Sequence, residues 1–265
     1  MKNNVNSFYN SNSEITKLLT SALQFVKIKL SKLRIVLRWG ESKLKRISSM
    51  IFLAVEAVLF CTFVTMDIMN LEAENIIKYI AISLVGIFGL RAGKQKDNIV
   101  VTIALLFTML ADMFLILIGN LVAGICVFIC VQTCYTIRFS FMSGKPLVGE
   151  LLKRLLPGLI LGSIATYFLD ITIGVIVAYS CSFAVNFVHG FELHILKPSP
   201  RHLRFAIGLF LFACCDLCVG ITNLRPDFLT EQMIRNAEVM TWIFYLPSQI
   251  LILSTTDALS FRKEK

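Results

Sequence analysis

Charge is what this chain has least of. Only 16% of its 265 residues are Asp, Glu, Lys or Arg, and 56% are hydrophobic. A soluble domain carries roughly a quarter of its residues as charge. With a mean hydropathy of +0.75, an ordinary soluble domain is excluded. Strand-like alternation is also lacking: the apolar stretches run on for roughly 18–20 residues, the length of a membrane span. A lipid-spanning chain must be helical or a closed barrel, and continuous runs select helices. No disulfide framework is evident. The eight cysteines, Cys61, Cys126, Cys130, Cys134, Cys181, Cys214, Cys215 and Cys218, all fall inside predicted spans, where cysteine serves as a small apolar packing residue. Cys214, Cys215 and Cys218 could grip a soft metal, but no second ligand pair has metal-site spacing, so packing is the reading taken. The sequence has no Gly-rich phosphate loop, no zinc-protease helix and no Ser nucleophile elbow. Hydrolysis by this chain would have to rest on carboxylates. Nor does a small-residue cleavage site follow a short apolar core near the start, so no signal peptide is expected.

What is present is an all-α, polytopic pattern. Eight spans are predicted, at about 50–69, 76–90, 99–118, 121–137, 155–169, 171–188, 204–223 and 239–256. The net charge of +9 resembles a nucleic-acid signal until it is mapped; it is a topology signal, and no nucleic-acid partner is expected. With both termini in the cytoplasm, 23 of the 26 Lys and Arg residues lie on the cytoplasmic side, leaving only Lys78, Arg225 and Arg235 outside. Seven or nine spans would destroy that asymmetry, which the positive-inside rule demands. Three regions follow: a basic N-terminal segment over 1–47, a membrane domain over 48–257 and a short basic tail over 258–265. In the first, Leu19, Leu23, Val26, Leu30, Leu33 and Leu37 share one helical face, opposite Lys27, Arg34 and Arg38. That pattern predicts an interfacial helix on the anionic inner leaflet of the cell membrane, an anchor and topology determinant.

Within this apolar background a few polar residues stand out. Asp112 and Asp216 occur at matching depths of spans three and seven, roughly 4–6 Å outward of the midplane at 1.5 Å rise per residue. An ionised carboxylate there costs on the order of 3 kcal/mol or more, so function is the default reading; a helix-packing hydrogen bond is the bland one. "LLFTMLAD" and "LFLFACCD", which end on these aspartates, would be equivalent segments of a parallel 4+4 duplication. Gln132 and Tyr135 lie one turn apart on span four, and Tyr245 and Gln249 share a face of span eight. Lys78 opens span two near the outer surface, where a snorkelling lysine is the plain alternative. Glu56 and Asp67 are expected to reach water from span one, and Asn186 has no assigned role. His189, His194 and His202 are expected in a solvated loop between spans six and seven.

Those residues, in that order, resemble the YhhN family of eight-span membrane proteins, which includes lysoplasmalogenases. The likeness covers roughly residues 50–256. It rests on Lys78 in "IIKYIAISL", on Ala111–Asp112, on Gly124, Phe128, Gln132 and Tyr135, on Gly208, Phe212, Cys215 and Asp216, and on Tyr245 and Gln249 in "YLPSQ". The family pattern has glycine at Ala111, histidine at Gln132 and serine at Cys215. The resemblance implies a hydrolase that cleaves the vinyl ether of lysoplasmalogens to a fatty aldehyde and a glycerophospho-alcohol. In that reading Asp112 and Asp216 are catalytic, while Lys78, Gln132, Tyr135, Tyr245 and Gln249 orient or bind a lysophospholipid-type substrate. No metal and no cofactor are required. Two rivals stay open: a proton-coupled transporter of a small molecule or lipid, and a non-catalytic lipid-binding protein of the same fold. Oligomeric state is not legible.

Overall fold

A computed structural model describes residues 43–69, 74–224 and 229–259, together with Lys27. The described residues are helical, with no strand among them. Eight helices follow in order: α1 Lys43–Met69, α2 Glu74–Gly89, α3 Lys96–Asp112, α4 Leu121–Ser143, α5 Leu147–Phe168, α6 Ile171–Leu196, α7 Pro200–Leu224 and α8 Glu231–Leu253. Each coincides with one predicted apolar segment. Five of them are long and apolar enough to cross a membrane: α1, α3 with its continuation to Ile118, α4, α6 and α7. Asn75–Gly89 is a shorter apolar helix. The segment carrying Leu19 to Leu37 lies outside the described residues, apart from the exposed Lys27.

Short polar signals punctuate these helices. Asn120 caps α4 by accepting a hydrogen bond from the Ala123 amide. Asp170 accepts from the amides of Thr172 and Ile173 at the start of α6, and Thr230 accepts from Met233 at the start of α8. Each side-chain oxygen satisfies a backbone donor that the first helical turn leaves unpaired. Gly119 and Gly144 close α3 and α4 at φ of 72° and 76°, backbone that glycine adopts without steric cost. Past Asp112, α3 widens into a π-helical turn, Met113–Ile118, a feature frequent at functional sites.

The chain divides into two compact units. The first comprises Met1–Ser48 with Arg262–Lys265, the second Ser49–Phe261. Within the second, α3 packs on α4, α5 on α6, α7 on α8, and α4 on α6. α1 joins through two ring contacts, Phe52 stacked on Phe88 with centroids 4.2 Å apart and Phe63 edge-on to Trp242 at 5.5 Å. The interior is built from Phe63, Phe128, Phe212, Tyr135 and Tyr245 alongside aliphatic residues of α2, α3 and α8. Large apolar side chains such as Ile76, Leu117, Leu159 and Leu217 point outward. Apolar surface spread over so many helices is what a lipid-facing exterior requires.

Candidate functional site

Both intramembrane aspartates turn inward, and each is held by a tyrosine. The Tyr245 hydroxyl donates to Asp112 Oδ2 at 2.6 Å. The Tyr179 hydroxyl donates to Asp216 Oδ2 at 2.7 Å. Asp112 is buried and Asp216 half-buried. The two pairs share one aromatic wall. Phe212 lies 5.7 Å from the Tyr245 ring and 5.7 Å from Phe128, and Phe128 lies 6.2 Å from Tyr179. Cys215, next to Asp216 in the chain, is buried in the same core. Tyr135, from α4, is buried there too, edge-on to Phe205 at 5.5 Å. The Asp112–Tyr245 and Asp216–Tyr179 pairs therefore border one aromatic wall, with Tyr135 and Cys215 buried in the same core.

The remaining residues expected at the site sit around this centre. Lys78 is 6% exposed, paired with Asp67 at 2.5 Å, and its ammonium lies 5.4 Å from the Trp242 ring centroid. Trp242 in turn packs edge-on against Tyr245, so Lys78 approaches the Asp112 pair through aromatic side chains. Gln249 is buried, donating through Nε2 to Ser248 Oγ while its Oε1 has no partner among the described residues. Gln132 accepts from Asn186 Nδ2 at 3.0 Å. Its own Nε2 and the Tyr135 hydroxyl are buried without partners among the described residues. Unpaired polar atoms in a protein interior are rare, and they cluster where water or a ligand binds.

Several sequence expectations change here. Glu56 does not reach water: it lies mid-helix in α1, 1% exposed, with both carboxylate oxygens unpartnered among the described residues. Asp67 does not simply face solvent but pairs with Lys78. His189 and His194 lie in α6 and His202 in α7, not in a loop. His189 stacks on Phe139 with centroids 4.4 Å apart and contacts Arg154. Asn186 gains a role as the hub of a buried network. It accepts from Arg154 Nε at 2.9 Å and from Thr136 at 3.2 Å, and donates to the Gln132 carbonyl. Arg154 in turn donates to Glu150 Oε2 at 2.7 Å. Nor do the aspartates follow the exchange that a 4+4 duplication demands. Asp112 of α3 bonds to α8, so Asp216 of α7 should bond to α4, yet its partner is on α6.

Tyr179 escaped sequence reasoning, and Asn186 stood out there without a role. Tyr179 and Asn186 are seven apart on α6, on a buried stripe that also holds Ser182, Phe183, Gly190 and Leu193. That spacing of a tyrosine and an amide on one face was the available signal. At the other end of the bundle, Asp97 accepts from Arg138 Nε at 2.7 Å and pairs with Arg201 at 2.7 Å. Asn98 donates to Asp257 at 2.9 Å, tying α3, α4, α7 and the turn after α8 together. Among the described residues no group of three or more His, Cys, Asp or Glu is arranged to hold a metal ion.

Long apolar helices enclosing two tyrosine-bound aspartates define a helical membrane protein with a buried acidic site. A sequence profile of the YhhN family matches residues 74–256, and the chain belongs to that family. No curated protein and no solved structure matches the chain.

Proposed function

We propose that this protein is a membrane-embedded hydrolase that cleaves the vinyl ether bond of lysoplasmalogens, or of a closely related lysolipid, by carboxylate acid/base catalysis. The observation that carries the reading is the pair of inward-facing aspartates, each oriented by a tyrosine along one aromatic wall. Vinyl ether cleavage begins with proton transfer to the β-carbon, which leaves an oxocarbenium ion. Water adds to that cation, and the hemiacetal collapses to a fatty aldehyde and a glycerophospho-alcohol. The reaction needs one carboxylic acid to deliver the proton, one carboxylate to face the developing cation and steer water, and a second proton transfer that restores the first acid. Two carboxyl groups sharing an enclosed site divide these roles as they do in glycosidases. Tyr245 and Tyr179 fix which oxygen of each aspartate is free to react. Gln132, Tyr135 and Gln249 carry unpaired polar atoms suited to holding the water and the glycerol hydroxyl. Lys78 meets the substrate phosphate by sharing or exchanging its Asp67 partner.

All eight helices are read as spans of the cell membrane, with both termini in the cytoplasm and the basic N-terminal helix on the anionic inner leaflet. The Lys and Arg distribution supports this. The transporter reading loses ground because Pro157 and Pro247 lie inside continuous helices, α5 and α8, whereas transporter sites favour interrupted ones. The lipid-binding reading draws on one observation. Gln132, at the family's histidine position, has its side-chain oxygen engaged by Asn186 and cannot serve as an imidazole would.

Purified protein given a lysoplasmalogen, with an ester lysophospholipid as control, should release aldehyde detectable by mass spectrometry. Asp112→Asn and Asp216→Asn should each lower turnover by about 10²–10⁴-fold, the range of a lost general acid or base, at unchanged expression. Full activity in either variant removes the acid-pair mechanism. Saturable lysolipid binding with no aldehyde establishes the binding module instead.

A further inference from the structure

Glu56 lies outside the segment that the family profile matches, and the chemistry above does not use it. Helix register locates it. α1 meets α8 where Phe63 packs on Trp242 and meets α2 where Phe52 stacks on Phe88. Glu56 is four residues past Phe52 and seven before Phe63, on the same face of α1. Gln249 is seven residues past Trp242 on the antiparallel α8, so both lie about 10 Å inward of the Phe63–Trp242 contact. Thr108 is one turn before Asp112, and Gln249 one turn after Tyr245. The hydrogen bond between Asp112 and Tyr245 thus sets Thr108 and Gln249 at one level.

The inner end of the bundle gives the same answer. A side chain on Gly89, next to Phe88, would meet Leu105 and Leu253. Thr108 stands three residues past Leu105, Gln249 four before Leu253 and Glu56 four past Phe52. Three helices therefore bring Glu56, Thr108 and Gln249 to one depth, a turn inward of the Asp112 pair. All three are at most 1% exposed. Four of their oxygens, both of Glu56, Thr108 Oγ1 and Gln249 Oε1, have no partner among the described residues. The Gln249 amide nitrogen is already spent on Ser248. The Thr108 hydroxyl can donate as well as accept, the other three oxygens call for donors, and water, which does both, is the smallest molecule that satisfies the set. Buried water makes two to four such bonds.

We propose that Glu56, Thr108 and Gln249 form a buried hydration site, and that it delivers the water consumed at Asp112. The site stands on burial, unpaired oxygens and shared depth; its use as the water source rests on the hydrolase reading. X-ray radiolytic hydroxyl-radical labelling of the full chain in lipid nanodiscs tests it, because bound water activated in place marks the side chains around it. Wild-type protein should be modified at Glu56 and within Thr108–Asp112 despite their burial. Glu56→Leu should lose that labelling and release aldehyde severalfold more slowly, while Glu56→Gln, which still hydrogen-bonds, keeps the labelling. Background-level labelling in the wild type overturns the proposal, as does undiminished labelling in a folded Glu56→Leu. Labelling that vanishes when sodium replaces choline also overturns it, in favour of a cation site. Should no aldehyde form at all, the hydrolase reading falls while the labelling still decides the hydration site.

Discussion

A buried carboxylate reacts through whichever oxygen its neighbours leave free, so the tyrosines matter as much as the acids. Removing the Tyr245 hydroxyl takes away the one side-chain hydrogen bond that Asp112 accepts among the described residues. Leaving a buried acceptor unpaired costs about 1–3 kcal/mol. If the cost falls on the reacting geometry, Tyr245→Phe should lower kcat/KM for aldehyde release by roughly 5- to 150-fold, at 1.36 kcal/mol per decade. Tyr179→Phe should cost less, because Asp216 is half-buried and water can replace the donor. Equal losses in the two variants would mean that both acids are equally shielded in the working protein. Asp112, Tyr245 and Gln249 were legible because an acid, a tyrosine and an amide interrupt apolar runs at helical spacing. Tyr179 was not, since a single tyrosine in an apolar helix reads as packing. Glu56 was misread because distance from a span's end says nothing about which way a side chain turns, and α1 is already helical at residue 43, well before the apolar run.

Helices extend further than the hydropathy that announces them. The segment predicted from residue 155 begins at Leu147, because Glu150, Lys153 and Arg154 pair among themselves and with Asn186 instead of ending the helix. In the same way α6 runs on to Leu196, past two histidines. Hydropathy measures affinity for lipid; a helix ends where its backbone runs out of partners or meets a capping residue. Contacts between helices are legible only through small residues. Gly158 and Gly162 of α5 lie against Ala178 and Gly174 of α6, and a Cβ on Gly162 would stand 2.7 Å from the Gly174 carbonyl oxygen. Backbone cannot yield as a flexible side chain does, so Gly162→Leu should destabilise the protein by about 1–3 kcal/mol through overpacking, read as a lowered unfolding midpoint in detergent. Gly162→Ala should cost less but still be measurable. An unchanged midpoint for Gly162→Leu would mean that α5 and α6 are apart in the membrane.

Over the whole molecule, the proposed reaction requires a site that lipid can reach and a polar end that holds the bundle in register. Asp112, Asp216, Lys78 and Trp242 occupy one half of the bundle. Asp97, Arg138, Arg201 and Asp257 close the other, where the Lys and Arg residues concentrate. Five helices qualify as spans on length and apolarity; α2 is short, while α5 and α8 carry charge at one end. The eight-span arrangement proposed above rests on the Lys and Arg distribution, whose alternation of sides requires every helix to cross. Epitope tags inserted at the Gly119–Asn120 turn, at Gly144–Lys145, at Leu169–Asp170, at Pro198–Ser199 and at Leu229 should be accessible alternately from outside and from the cytoplasm, starting outside. Both terminal tags should read cytoplasmic. Consecutive tags on the same side would identify the helix between them as one that does not cross. Were that helix α8, Tyr245 would not stand at the depth of Asp112, and the acid–tyrosine pair could not form within the bilayer.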